Sequence, residues 1–508
     1  MLATGDPVDI RYQDVPRYLQ PAGIYWLQSA SVTLFSSPGA RKIWAYRLPS
    51  LAGAVAAVLL TARLAGGLLG RPAGLAAGVL LATSLALGVE ARTAKTDAML
   101  LAAVVAAQSA LALLYLGRAA RPRLAAAVFW AALGVGVMLK GPIILMVSGL
   151  TVAALVAWDR RVAWLSRLRA GWGVPLTAAI VLPWLVAIAI ASEGEFFARA
   201  IGQNLLGKVA AGQQAHGAPP GYHLAVFAVA FWPGSLFAAL AVPHAWATRS
   251  RPETRFLIAW IVPAWVVFEL IATKLPHYVL PTYPAIACLA AAALVSGWPG
   301  LPVGRARYAI GVYAALWMVV AVALAAAAPG IVLYFEGRLD WVAIAPGLAA
   351  VGLAGLAVRL VRRRAPVAAL AGASCAAALI WASTFGLTLP RLDALWMSPR
   401  IVRAVGEASA CDRGLLVTTP YHEPSLVFLH GPAETEVART PDEAADFLAA
   451  HAECGVALVG RAQQDAFLAR AAALGAAPRP VGLVEGRNYS NGRRLALTLY
   501  VLGGEPGP

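Results

Sequence analysis

Residues 73–117 read AGLAAGVLLATSLALGVEARTAKTDAMLLAAVVAAQSALALLYLG. Two apolar runs, 73–89 and 97–117, flank the turn Glu90-Ala91-Arg92-Thr93-Ala94-Lys95-Thr96-Asp97. Runs of roughly 17–25 apolar residues match the hydrocarbon thickness of a bilayer. A helix is the shape that satisfies every backbone polar group there. The stretch therefore predicts two membrane-spanning helices joined by a charged turn.

The same pattern continues on both sides. Further apolar runs lie near 48–69, 124–140, 142–158, 173–191, 223–247, 256–272, 277–297, 308–328, 341–361 and 366–389, about twelve in all. The break between 140 and 142 rests on Lys140-Gly141-Pro142, where Gly can end one helix and Pro can begin the next. Composition agrees: 60% of the 508 residues are hydrophobic and 13% charged, against about 25% charged in soluble domains. Residues 1–47 are polar and aromatic, unlike a basic-then-apolar cleavable signal.

The loops alternate in charge. Arg71; Arg118, Arg121 and Arg123; Arg160, Arg161, Arg167 and Arg169; Arg249, Arg251 and Arg255; Arg305 and Arg307; and Arg362, Arg363 and Arg364 fall on every second loop. Short basic loops stay in the cytoplasm. They account for most of the +16 net charge, and dispersing it this way argues against a nucleic-acid partner. The other side, outside the inner membrane, then receives 1–47, the 90–96 turn, the Lys140 turn, the 192–222 loop, the Thr273–His277 turn and the 329–340 loop. Three regions follow: an exterior juxtamembrane segment 1–47, a membrane bundle 48–390 and a periplasmic α/β domain 391–508.

In the last region, Gly414–Thr419 and Gly455–Gly460 read as short buried strands. Thr440-Pro441-Asp442-Glu443 is a capping box opening a helix to about Ala452, and a second helix is expected near Ala462–Leu474. Strands near 480–485 and 494–502 flank Asn491-Gly492, a hairpin signal. Cys411 and Cys454 share this exterior region, where they are either a disulfide or free thiols. Cys288 and Cys375 fall in apolar runs and read as packing residues.

Polar chemistry gathers at the exterior ends of the spans, and each cluster has two readings. Gln20 and Tyr25 lie in an aromatic stretch that is either an interfacial anchor or the roof of a site. Asp97 is either a helix N-cap or, with Arg92 and Lys95, part of a group able to bind phosphate or a metal. Lys140 either complements a helix C-terminus or meets a phosphate. Lys208, His216 and Tyr222 lie in the 192–222 loop, His216 being either solvated or a ligand for substrate or metal. Lys274, His277 and Tyr278 either anchor the interface or bind substrate, and Glu269 is an intramembrane carboxylate, which is functional by default.

Met1–Asp6, Gln20-Pro21 through Gln28, Ala91-Arg92 with Asp97, Lys140-Gly141-Pro142, Asn204–Lys208, His216–Tyr222, Trp232-Pro233, Lys274–Tyr278 with Pro281, and Gly486–Arg493 together resemble the aminoarabinose-transferase branch of the GT-C glycosyltransferases. That branch is related to the protein O-mannosyltransferases (glycosyltransferase family 39). The resemblance implies a bundle of thirteen spans with a periplasmic C-terminal domain. It implies transfer of a sugar, such as 4-amino-4-deoxy-L-arabinose, from a polyprenyl-phosphate donor to lipid A or another glycan or protein acceptor. Arg92, Lys95, Lys140, Lys274, His277 and Tyr278 would contact the donor. The family's usual catalytic carboxylate belongs to an acidic pair; within this chain Asp97 is the candidate, and Asp97 and His216 would sit at the polar site, where a divalent cation can bind.

Two departures stand out. Family members carry an acidic pair after a first span, and this chain starts at a point resembling the residues just beyond it. That predicts an internal methionine at position 1, with a further span upstream. Leu19-Gln20-Pro21 also lacks the lysine often found before the proline. A flippase and a noncatalytic scaffold are the competing readings. Against the first, the polar residues sit at one membrane face rather than at mid-depth.

Overall fold

The structure is a computed structural model, and it describes residues 1–2, 4–200, 202, 217–297, 305–411 and 414–502. Its contacts divide the chain into two compact units: Met1–Ala325 with Ala345–Ala382, and Ala326–Ile344 with Ser383–Pro508.

The first unit is helical. A two-stranded ribbon, β1 (Arg11–Tyr12) and β2 (Val15–Pro16), precedes α1 (Gly23–Phe35), α2 (Ile43–Leu69), α3 (Arg71–Ala82), α4 (Leu85–Glu90), α5 (Asp97–Tyr115), α6 (Pro122–Lys140), α7 (Ile143–Asp159) and α8 (Ala170–Ala191). Further helices cover Tyr222–Ala230, Gly234–Ala247, Pro252–Leu270, Tyr283–Val295 and Pro366–Trp381, together with parts of Arg305–Glu336 and Trp341–Arg362. Each apolar run of the sequence is helical, and the 124–158 stretch breaks after Lys140.

The twelve expected spans are nevertheless not twelve continuous membrane-length helices. Among the described residues, seven helices are long and apolar enough to cross a membrane, or eight if one bent pair counts as a single span. The 223–247 run is that pair: its halves meet at 119°, at Pro233, which has no N–H to carry a helix through. The 73–89 run likewise stops at Ala82 and restarts at Leu85, and α7 has only 17 residues. An apolar run fixes the solvent a segment prefers, whereas its length as one rod depends on where tertiary packing breaks it.

Close approach of backbones sets the position of α5. A Cβ at Gly53 of α2 would lie 2.6 Å from the Cα of Met99, so glycine lets α2 press against the first turn of α5. Nearby, the Ser50 hydroxyl donates to the Lys95 carbonyl at 2.8 Å, tying α2 to the turn before α5.

The second unit is an α/β sheet of order β4-β3-β5-β7-β6, with β3 at Leu415–Thr419, β4 at Thr435–Val437, β5 at Gly455–Gly460, β6 at Arg479–Arg487 and β7 at Arg494–Val501. β4, β3 and β5 are parallel; β7 and β6 are antiparallel to their neighbours. Alternate residues feed opposite faces: Leu416 and Leu458 pack with Ile401, Leu497 and Leu499, while Val417, Ala457 and Val459 pack with Leu448, Phe467 and Tyr500. This is the period-2 pattern of a strand buried on both sides. The helix Pro441–Ala450 is capped by Thr440, whose hydroxyl accepts from the Glu443 N–H at 3.2 Å. The Glu443 carboxylate accepts from the Arg439 N–H at 2.7 Å, one residue earlier than in the usual box.

The β6–β7 connection is not a two-residue turn at Asn491-Gly492. Arg487 pairs with Arg494, leaving a six-residue loop, Asn488–Arg493, closed by Asn488 N–H to the Arg493 carbonyl at 2.9 Å. Cys411 and Cys454 form a disulfide, with Cα atoms 5.5 Å apart.

Candidate active site

The site forms where α4 ends, α5 begins and α6 ends, and the turn 271–279 joins them. Helices α5 and α6 run in opposite directions and pack together, which brings the N-terminus of one beside the C-terminus of the other. Asp97 is the first residue of α5, and Thr96 holds the N-cap position. The Asp97 carboxylate takes the Lys140 ammonium, 43 residues away, in an ion pair. Lys140 thus meets a carboxylate, and Asp97 is held by a cation.

Glu90 and His277 complete the cluster. His277 Nδ1 lies 3.7 Å from a Glu90 oxygen, and its Nε2 lies 3.8 Å from Asp97 Oδ1. Lys95 Nζ is 4.0 Å from Glu90, at the edge of the cluster where it is half-exposed. The Lys140 ammonium also sits 5.9 Å from the centre of the Tyr278 ring, within reach of its electron-rich face. Lys274 is buried, and its ammonium donates to the Ile271 carbonyl at 2.6 Å.

Glu90 ends the short helix α4 and His277 lies in the turn 271–279, both outside the membrane-length helices. Burial drives the His277 imidazole down to about 4, against the pull of the Asp97 charge, so the ring is neutral at pH 7 with a lone pair available. Burial raises the Glu90 carboxyl above the ordinary range, and the Asp97 charge raises it further, while Lys95 and Lys140 oppose both.

One oxygen each from Glu90 and Asp97 and one ring nitrogen of His277 lie within 4.8 Å of one another. Glu90 Oε2 is buried and has no hydrogen-bond partner among the described residues. Two carboxylates and a neutral imidazole suit a divalent cation by donor type, so the residues fit the group that the sequence left open.

The other sequence candidates divide. Arg92 donates to the Gly88 carbonyl at 2.8 Å. Tyr25 packs with Tyr18, Met138 and Trp184 on α6 and α8, close in sequence to Lys140. Gln20 is half-buried. Tyr222 packs edge-on against His223, with ring centres 5.2 Å apart. Glu269 serves the fold, since its two oxygens accept from the N–H groups of Gly221 and Leu224, at 2.9 and 3.1 Å. It thereby satisfies orphan donors at the start of the helix Tyr222–Ala230. Lys208 and His216 lie outside the described residues.

Sequence reasoning places Glu90 in the stretch it reads as a turn but singles out its neighbours Arg92, Lys95 and Asp97. Nothing local marks Glu90, because its role depends on His277 from a distant turn. Ser50 escapes notice for the same reason.

A buried ion pair between antiparallel helices, ringed by titratable side chains at one end of an apolar bundle, defines a multi-pass membrane protein with an enzyme-like polar site. Known proteins agree. The dolichyl-phosphate-mannose-protein mannosyltransferase family matches residues 19–186. The undecaprenyl phosphate-alpha-4-amino-4-deoxy-L-arabinose arabinosyl transferase of Pseudomonas savastanoi pv. phaseolicola is 28% identical over 164 residues, 32% of this chain and 30% of that protein. The protein of the same name from Pseudomonas aeruginosa LESB58 is 26% identical over 317 residues, 58% of this chain and 53% of that one. The matched stretches thus span between about a third and about half of these relatives.

The crystal structure of ArnT from Cupriavidus metallidurans bound to undecaprenyl phosphate superposes with a TM-score of 0.72 at 18% identity, covering 98% of this chain and 91% of that one. Its apo form gives 0.71. The chain thus shares its fold with that structure, and its residues 19–186 are similar to the mannosyltransferase family.

Proposed function

We propose that the protein is an inner-membrane glycosyltransferase that takes a sugar from a polyprenyl-phosphate donor and places it on an acceptor hydroxyl or phosphate outside that membrane. The observation that carries this reading is the Asp97–Lys140 pair with Glu90 and His277 around it. The aminoarabinose named in the relatives makes a 4-amino-4-deoxy-pentose the first sugar to test, and lipid A the first acceptor. The α/β unit is read as periplasmic, on the side opposite the basic loops.

In the reaction, an acceptor oxygen bonds to the anomeric carbon as the bond from that carbon to the carrier phosphate breaks. The acceptor proton passes to a carboxylate, and the carrier leaves as polyprenyl phosphate. Glu90 suits the proton-accepting role, because its raised pKa brings it towards the operating pH. Lys140 and Lys274 are the cations available to the leaving phosphate, whose charge they would stabilise in a water-poor site. Asp97 holds Lys140 in place. A divalent cation bound by Glu90, Asp97 and His277 would supply further charge neutralisation at that phosphate.

The test is transfer in membranes carrying single substitutions Asp97→Ala, Lys140→Ala and Lys274→Ala, with product mass as readout. Loss of product with retained folding supports the reading. Full product from all three variants would sink it.

A further inference from the structure

The α/β unit contains a cavity of about 610 Å³, within the size range of small-ligand sites. Its position follows from the sheet. β3 and β5 are parallel and in register, Thr419 facing Val459, so their carboxyl ends reach the same edge. Pro420 and Gly460 stand at that edge and line the cavity. In open α/β sheets, ligands bind beyond the carboxyl ends of parallel strands. A Cβ on Gly460 would lie 2.6 Å from the Pro420 ring, so glycine is what lets these two strand ends close together beneath the cavity.

The walls are strongly basic. Arg461 follows β5, and Arg487 and Arg494 come from β6 and β7. Arg487 and Arg494 are direct cross-strand partners, an arrangement that like charges disfavour. Among the described residues, no salt bridge engages any of the three. Glu485 is the one acidic side chain on the wall. Three guanidiniums around one carboxylate leave an excess of positive charge suited to an anion, which their planar forks bind in a bidentate way.

The cavity also offers aromatic surface. Arg487 lies 4.3 Å from the centre of the Tyr334 ring and donates to the Tyr334 hydroxyl at 2.8 Å. Phe335 adjoins on the same wall. Tyr334 is 62% exposed, so a ring face remains for a ligand. An aromatic platform presents an apolar face with a polar edge, which matches a sugar ring, and Glu485 can accept from sugar hydroxyls.

From this juxtaposition we infer that the cavity bounded by Arg461, Arg487, Arg494 and Tyr334 is a binding site for an anionic saccharide, a sugar carrying a phosphate or carboxylate group. It stands independently of the transfer reaction at the helical site.

The full-length protein in detergent tests this through arginine modification by phenylglyoxal, read by peptide mass spectrometry. Glucosamine 6-phosphate, glucuronate, glucosamine and inorganic phosphate are the probes. Protection of Arg461 and Arg494 by glucosamine 6-phosphate or glucuronate, at concentrations about tenfold below those needed for inorganic phosphate, supports the inference. Which of the two protects better identifies the anionic group. A complementary titration compares the parent with the double variant Arg461→Ala/Arg494→Ala and with Lys140→Ala. The double variant is expected to bind the better sugar at least about tenfold more weakly, since each substitution loses a charged hydrogen bond, while Lys140→Ala binds it as the parent does. No protection, equal protection by inorganic phosphate, or weakened binding in Lys140→Ala with none in the double variant would overturn it. None of these readouts requires transfer, so they separate failure here from failure of the proposed reaction.

Discussion

Helix α5 carries a charged cluster at each end, about 27 Å apart at 1.5 Å per residue, and the two differ in kind. At its C-terminal end the Tyr115 hydroxyl donates to Asp159 at 2.7 Å, and Arg255 pairs with the other oxygen of the same carboxylate. Arg118 pairs with Glu253, and Arg167 donates to the Leu114 carbonyl at 3.0 Å. Each carboxylate there has near partners on both sides or at the surface. At its N-terminal end Asp97 shares one oxygen between Lys140 and His277, while one buried Glu90 oxygen has no hydrogen-bond partner among the described residues. One end is a clasp that holds helices together. The other groups two carboxylates, a lysine and an imidazole within reach of one another, a donor set that can take up a cation or a proton.

The comparison breaks most decisively at Asp97. Asp97→Asn is expected to lower kcat by about 10²–10⁴-fold while the protein still folds, as thermal unfolding in detergent would show. A parent-like turnover would make the two ends equivalent. Lys140→Met should lower kcat/KM by about 10²–10³-fold, the loss of one preorganised charge partner. The double variant Asp97→Asn/Lys140→Met should fall well short of the product of the two losses, because the residues act as a unit.

Glu90→Gln tests the proton-accepting role. Glu90 takes up a proton at a higher pH than an ordinary carboxyl, so the parent's transfer rate should fall on the acid side from a pH above the usual carboxylate range. The variant should be slower by about tenfold or more at neutral pH and should lose that acid limb. An unchanged limb would move the role elsewhere. At the opposite end, Asp159→Asn should cost about 1–3 kcal/mol of stability, read as a lower unfolding midpoint, with kcat unaltered. Arg118→Ala, on a half-exposed pair, should cost no more than about 1 kcal/mol.

Much of the architecture was legible because its causes are local. Apolar runs announce helices, and the strands 415–419 and 455–460 announce themselves by continuous burial. The clustering of Asp97, Lys140 and His277 was legible only as a set of exterior residues, each with a bland alternative. Glu269 carries a contact the sequence did not show: its carboxylate caps a neighbouring helix. The spans near 73–89 and 223–247 likewise hid their breaks, since hydropathy counts residues and does not see where a rod bends.

The sequence by itself determined the solvent of each segment, the alternation of basic loops and the sheet unit at the C-terminus, because hydropathy, charge and period-2 burial are properties of neighbouring residues. Only the tertiary structure decided that Lys140 meets Asp97, that Glu90 faces His277 and that Arg487 stands opposite Arg494. Those meetings depend on which helix ends and which strands are packed side by side. That choice is made by close contacts such as Gly53 against Met99 and by strand register, both of which join residues far apart in the chain.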